Sequence, residues 1–328
     1  MRLLKLVPDN TNIDFLRWRK IASFMSFFLV VVSIALVAVK GLNLGVDFVG
    51  GQSVRVDFPQ GMPPIDEIRE KVDAIGLGDP TIQQFGSDST VSIRTGLPED
   101  NAPGATDRAG VRLVEGIQAA FPDAQTGSVE TVSGKVSNEL YYTGALSLAL
   151  AMLGITIYIW IRFEWQFGVG ALGRLFHEVA LTFGFFAVTQ IQFDLNSVAA
   201  LLTIVGYSLN DTIVIYDRIR ENLKKYRKME IIPLLNLSLN ETLSRTVMTT
   251  AAMFLALGML LIFGPDVIFG FTAAMLFGIF VGTYSSVLMS TPVLVWLKVG
   301  PHSFVPRTSA ATEGGERVTR KEDDGAVV

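Results

Sequence analysis

The stretch GYSLNDTIVIYDRIREN, Gly206–Asn222, decides the fold class. Its first half is uncharged and continues an apolar run that begins near Ser197. Asp211 falls in the middle of that helix, with Asn210 beside it, and open charge begins only at Asp217. Counted from Ser197, Asp211 lies about 21 Å along a helix, past the centre of a bilayer whose apolar core is about 30 Å thick. An ionised Asp in an inserted helix costs about 2.5–3.5 kcal/mol. A cost of that size persists where the residue is paired or has a task.

The rest of the chain agrees with a membrane setting. Half of the 328 residues are hydrophobic and 18% are charged, against about 25% charged in soluble domains. The mean hydropathy is +0.43. A spanning helix needs about 20 mostly apolar residues. Ile21–Val39 and Leu140–Ile161 qualify, as do Ala171–Gln190, Ser197–Tyr216, Thr246–Phe263 and Val267–Leu297. Pro292 is expected to kink or end the last run. The first run is longer than a signal-peptide core and lacks an A-x-A cleavage site, so it reads as a retained anchor.

The chain has no cysteine, which excludes disulfides, thiolate metal sites and thiol chemistry. A net charge of −4 says little about partners. No catalytic triad, phosphate-binding loop or metal-ligand spacing is present, so the chain does not read as an enzyme and no cofactor is expected. Nothing points to nucleic acid.

Lys and Arg orient the spans. Arg2, Lys5, Arg17, Arg19 and Lys20 precede the first, and Arg218, Arg220, Lys224, Lys225, Arg227 and Lys228 follow the fourth. Arg162 and Arg174 flank the connection between the second and third. Six spans with both termini in the cytoplasm satisfy this pattern. Residues 1–20 then form a cytoplasmic N-terminus, 21–40 the first span and 41–138 a domain on the outer side of the membrane. Residues 139–300 form a five-helix bundle and 301–328 a polar, disordered cytoplasmic tail.

The segment between the first two spans alternates and repeats like a small α+β domain. Ser53–Phe58, Thr81–Gly86, Thr90–Gly96 and Gly127–Gly134 read as strands. Ile65, Ile68, Val72 and Ile75 mark one amphipathic helix, and Asp107–Phe121 is a second. The order β-α-β-β-α-β is ferredoxin-like. Its acidic surplus, fifteen Asp and Glu against seven Lys and Arg from Asp47 to Glu139, reads as a solubility feature. Before it, GVDFVGG (Gly45–Gly51) is not a dinucleotide motif, since no helix follows at the right place. Asp47, Gly50 and Gly51 are expected to shape the passage from the first span into the domain.

Counting along the helices places His177, Glu178 and Asp211 at about 10 Å depth. Arg245, just before the fifth span, is expected to reach inward to Asp211, the competing partner being Glu241 at i,i+4. Such a cluster suits proton exchange, because burial, charged neighbours and His titration all act near neutral pH. Asp217 reads as an interfacial salt bridge. LLNLSLNETLS is expected to be a separate short helix at the membrane surface. Ala274, Gly278, Gly282, Ser286 and Ser290 form a small-residue ladder that fits either an internal helix contact or a partner subunit.

Three motifs carry a family resemblance over about residues 15 to 300: GVDFVGG, GYSLNDTIVIYDRIREN and LNETLSRTVMTT (Leu239–Thr250). With them the chain resembles the SecF family, the smaller partner in the SecD–SecF pair of the bacterial Sec translocon. The resemblance implies an α-helical membrane protein of six transmembrane helices, half of an RND-type transporter, with one small ferredoxin-like periplasmic domain. It implies a heterodimer with SecD and association with the SecY, SecE and SecG channel, often with YajC and YidC. It implies that protons of the transmembrane gradient help move or release a translocating preprotein across the inner membrane. Asp211 and Arg245 match the family residues associated with proton passage. His177-Glu178 stands where many relatives have His-Asp. Two other readings are a small-molecule exporter half, disfavoured by the small outer domain, and a scaffold, which would leave the ionisable cluster without a task.

Overall fold

The computed structural model describes residues 7–8, 11–78, 80–84, 89–97 and 105–300. The expected tail and most of the Gly96–Gly104 loop lie outside the described residues. Six helical stretches are long and apolar enough to cross a membrane: Phe15–Lys40, Gly134–Arg162, Trp165–Thr189, Leu195–Lys225, Ile231–Phe263 and Phe269–Trp296.

The first stretch is a 3-10 turn, Phe15–Trp18, running into α1, Arg19–Lys40. It ends at Gly41, whose φ of 74° breaks the helix. A single helical turn, α2 (Val46–Val49), leads into the sheet domain. That domain runs β1 (Gly51–Asp57), α3 (Ile65–Asp73), β2 (Thr81–Gln84), β3 (Thr90–Thr95), α4 (Ala105–Ala120) and β4 (Gln125–Val132). The strands lie in the order β2-β3-β1-β4, all pairs antiparallel. This is the ferredoxin-like arrangement, with Val54 opposite Ile93 and Val56 opposite Val91. Those four pack with Ile68 and Val72 of α3 and Leu113 and Ile117 of α4 in one apolar core. Alternation in the strands and 3.6-residue spacing in the helices aim both sets at the same layer.

The bundle follows as α5 (Gly134–Arg162), α6 (Trp165–Thr189), α7 (Leu195–Lys225), α8 (Ile231–Phe263), α9 (Phe269–Leu288) and α10 (Ser290–Trp296). Helices α6, α7 and α9 are central, while α1, α5 and α8 are largely exposed along their spanning windows. Apolar residues all round a helix, as in α5, suit a surface that faces lipid. The small-residue ladder faces inward: Ala274, Gly278, Gly282, Ser286 and Ser290 are all buried. A Cβ on Gly278 would lie 2.4 Å from Ile204 Cδ1, so the absence of a side chain sets the α7–α9 approach.

Two expectations change here. LLNLSLNETLS is not a separate surface helix; it is the first half of the unbroken 33-residue α8. Pro233 sits in its first turn, where a missing N–H costs nothing, and no Gly or Pro interrupts Leu234–Leu257. The last span does break, but at Met289, between α9 and α10. Pro292 lacks the N–H that would continue the ladder to Leu288, so the interruption falls one turn before the proline itself.

Candidate functional site

Arg174 is the centre of the buried polar layer. It lies in the third turn of α6, not in a loop, and it is 1% exposed. Its Nε donates to Ser285 Oγ on α9 at 3.0 Å, and Nη2 to the Gly282 carbonyl at 2.7 Å. Its Nη1 donates to the Ser208 carbonyl on α7 at 2.7 Å and to Thr212 Oγ1. One guanidinium thus ties three helices. Bonds from a charged donor are worth about 1.5–3 kcal/mol each, which offsets a desolvation penalty of several kcal/mol. Among the described residues Arg174 makes no ion pair within 4.0 Å; its acceptors are neutral oxygens, and the fields of Glu178 and Asp211 reach it from a greater distance.

Glu178, one turn further along α6, is 0% exposed. Its Oε2 accepts from Ser208 Oγ, and among the described residues its Oε1 has no hydrogen-bond partner. A Cβ on Gly282 would lie 2.6 Å from that Oε1, so this ladder glycine makes the space the carboxyl occupies. Ser208 therefore serves both charges, Arg174 through its carbonyl and Glu178 through its hydroxyl. His177 is also buried, on a neighbouring face of α6. Its Nε2 lies 3.2 Å from Tyr284 Oη of α9, and among the described residues its Nδ1 has no hydrogen-bond partner.

Asp211 lies on the same face of α7 as Ser208 and Thr212 and is 7% exposed. Arg174 and Arg245 are the cations whose fields act on it. The expected direct pair with Arg245 is absent: Arg245 is exposed on α8, and among the described residues Asp211 has no ion pair within 4.0 Å. Nor does Arg245 pair with Glu241, which binds Arg218 Nε at 2.7 Å and Asn222 Nδ2 at 2.6 Å. Sequence spacing gave a common depth but not the direction in which Arg245 points. Asn210 is exposed on the outer face of α7. Asp217 stands apart from the layer, in an ion pair with Arg162 at 2.9 Å.

Asp47, Gly50 and Gly51 sit where α1, the sheet domain, α5 and the α6–α7 turn meet. Asp47 Oδ2 accepts from the Leu195 N–H at 3.0 Å. Gly50 (φ 73°) and Gly51 (φ 121°) take left-handed backbone, and a Cβ on Gly51 would lie 2.6 Å from the Thr95 carbonyl oxygen. Nearby, Arg94 donates to the Leu44 carbonyl and to Asn43 Oδ1, and burial lowers its guanidinium from the ordinary value.

Sequence reasoning missed Arg174, Ser208, Thr212, Tyr284 and Ser285. One signal existed: Arg174 and Glu178 stand at i,i+4 within an otherwise apolar run.

A six-helix bundle with a buried charged layer and a small α+β domain after its first span defines a membrane transport protein of RND-like fold. The family description "Protein export membrane protein SecD/SecF, C-terminal" matches residues 113–300, and "SecD/SecF GG Motif" matches 35–58. The protein translocase subunit SecF of Cereibacter sphaeroides is 43% identical, covering 90% of this chain and 93% of its own length. That of Rhodobacter capsulatus is 45% identical, covering 90% and 91%. Among solved structures, SecDF from Thermus thermophilus, described as translocon-associated, superposes with a TM-score of 0.79 at 30% identity over 89% of this chain. SecDF in a super-membrane-facing form superposes at 0.61, also at 30% identity, over 88% of this chain. This chain spans 40% and 39% of those two SecDF chains. The chain belongs to the SecD/SecF family and is a multi-pass membrane protein with a SecF role in protein translocation.

Proposed function

We propose that this chain is the SecF half of a SecD–SecF complex in the bacterial inner membrane and that it uses the proton gradient to promote preprotein translocation. Both termini then lie in the cytoplasm and the sheet domain in the periplasm. The observation that carries the proton reading is Asp211: a carboxyl 7% exposed in a spanning helix, without an ion pair within 4.0 Å among the described residues. A carboxyl held this way is free to gain and lose a proton, and each change of charge alters its interaction with the cations Arg174 and Arg245. Glu178 and His177 extend the same layer toward α9. One proton crossing 100 mV supplies about 2.3 kcal/mol, enough to bias a sliding polypeptide in repeated small steps.

The SecD partnership is supported by the face that α7 and α8 leave open. Thr203, Gly206 and Asn210 of α7 and Arg245 of α8 are exposed at membrane depth. Polar groups are costly against lipid tails, so a second helical bundle is the fitting neighbour. Contact with the SecY, SecE and SecG channel, YajC and YidC belongs to the same proposal.

The test is export in cells depleted of this subunit and complemented with Asp211→Asn. Membrane abundance and SecD association are followed in parallel. A proton-driven subunit predicts normal assembly and export that no longer slows when an ionophore collapses the gradient. Normal, gradient-sensitive export by this variant refutes the reading and leaves a scaffold role.

A further inference from the structure

We infer that Asp47 couples α7 to the sheet domain, so that a change at Asp211 is transmitted to the domain through the first turn of α7. This rests on the reading of Asp211 as a proton site.

Leu195 is the first residue of α7, and its N–H is one of those a helix leaves without an internal partner. Asp194 caps the same end in a capping box with Ser197, accepting from the Ser197 N–H at 2.8 Å. That box leaves the Leu195 N–H for a partner from elsewhere. Asp47 provides it, at 3.0 Å and across 148 positions of sequence. A carboxylate at a helix N-terminus also meets the positive end of the helix dipole.

Each end of this link is stiff. α7 runs unbroken from Leu195 to Lys225, so Asp211 and Leu195 sit on one rod about 24 Å apart. On the other side, Asp47 lies in α2, and Gly50 and Gly51 turn directly into β1, the strand bonded on both sides by β3 and β4. A Cβ on Gly50 would lie 3.3 Å from Gly134 Cα and from Ser137 Oγ, so the turn is also seated against the start of α5. Phe48 fixes α2 sideways, packing on Phe193 at 5.8 Å and Tyr141 at 6.2 Å between ring centroids.

Other hydrogen bonds of the α1–β1 connection and of β2 go to the α6–α7 turn instead of the rod. Gly45 N–H donates to the Phe193 carbonyl at 2.8 Å, Phe193 N–H to the Asn43 carbonyl at 2.7 Å, and Asn43 and Gln83 both donate to the Gln190 carbonyl. Those bonds hold the domain in place. Among the hydrogen bonds of the described residues, the Asp47 carboxylate is the one from the α1–β1 connection to α7 itself.

The chain contains no cysteine, so Glu70→Cys on α3 and Ile262→Cys at the end of α8 are the only labelling sites this chain offers. Both positions are exposed. The label distance is measured in the assembled complex with Asp211 and with Asp211→Asn, which stands in for the protonated carboxyl. The expected result is a distance shift on Asp211→Asn that Asp47→Ala abolishes and Asp47→Asn, which keeps an accepting oxygen, retains. A shift that persists in Asp47→Ala overturns the coupling while leaving the Asp211 reading intact. No shift in the Asp47 chain also overturns the coupling, while the charge change at Asp211 is read separately from its carboxyl infrared band. Amide exchange at Leu195–Ser197 gives a reading that needs no change at Asp47. It is expected to differ between Asp211 and Asp211→Asn, and identical exchange overturns the coupling.

Discussion

Arg174 on α6 donates to the main-chain carbonyl of Ser208 on α7 at 2.7 Å, and the hydroxyl of the same serine donates to Glu178. A cation and a carboxyl are therefore held a helical turn apart on α6 by one residue of its neighbour. The arrangement is locked more by neutral oxygens than by a direct ion pair, so its geometry depends on the fork of the guanidinium.

Replacing Arg174 with Met removes the donor to four oxygens on two helices. Leaving a buried acceptor without its donor costs about 1–3 kcal/mol. Thermal unfolding in detergent should show that loss. Arg174→Lys should recover little of it, because an ammonium on one stem does not reach α7 and α9 together. Equal stability of the Met variant and the wild type contradicts the clamp.

Gly278 and Gly282 should respond differently to Ala. At Gly278 the new methyl meets the Ile204 side chain, an overpacking that costs about 1–3 kcal/mol. In the double variant Gly278→Ala with Ile204→Ala the loss should be smaller than the sum of the two single losses, because the shortened side chain makes room for the methyl, and a double-mutant cycle measures that coupling. At Gly282 the methyl meets the Glu178 carboxyl. Gly282→Ala should therefore impair export beyond its effect on stability, and no change at Ile204 should rescue it.

Much of this architecture was legible in the sequence for a physical reason. Bilayer thickness sets helix length, so Ile21–Val39 or Leu140–Ile161 needs no tertiary information to be read as a span. Period-2 and period-3.6 patterns gave the β-α-β-β-α-β order. Arg174 was not legible in the same way. A basic residue near the start of an apolar run marks topology or a buried site equally well, and only the packing of α7 and α9 around it decides. Arg245 failed in the opposite sense. Spacing fixes depth along a helix axis, but the rotation of α8 turns this side chain outward. The start of α8 was misplaced because an amphipathic segment and a span in phase fuse when no breaker divides them.

Gly51 and Gly61 separate strain from collision. Both have positive φ, 121° and 110°. Left-handed backbone costs a residue with a Cβ about 1–2 kcal/mol, and that is the expected loss for Gly61→Ala, whose surroundings are open. Gly51→Ala adds contact with a backbone carbonyl on β3 and should cost clearly more. Amide exchange across β1 and β3 measures the difference, and equal losses contradict the close approach.

Asp217→Ala should leave export unchanged. Its pair with Arg162 is roughly 40% exposed on both sides, and such pairs contribute at most about 1 kcal/mol. A defect as large as that of Asp211→Asn would mean that proton exchange extends to the charged end of α7.

The proton account depends most on Asp211 changing its charge, and infrared difference spectroscopy of the reconstituted complex through a pH step measures that directly. The account predicts a carboxyl band that appears on acidification, is absent in Asp211→Asn and remains in Asp217→Asn. A band unchanged by Asp211→Asn, or none in the wild type, contradicts it and leaves Asp211 a static buried group.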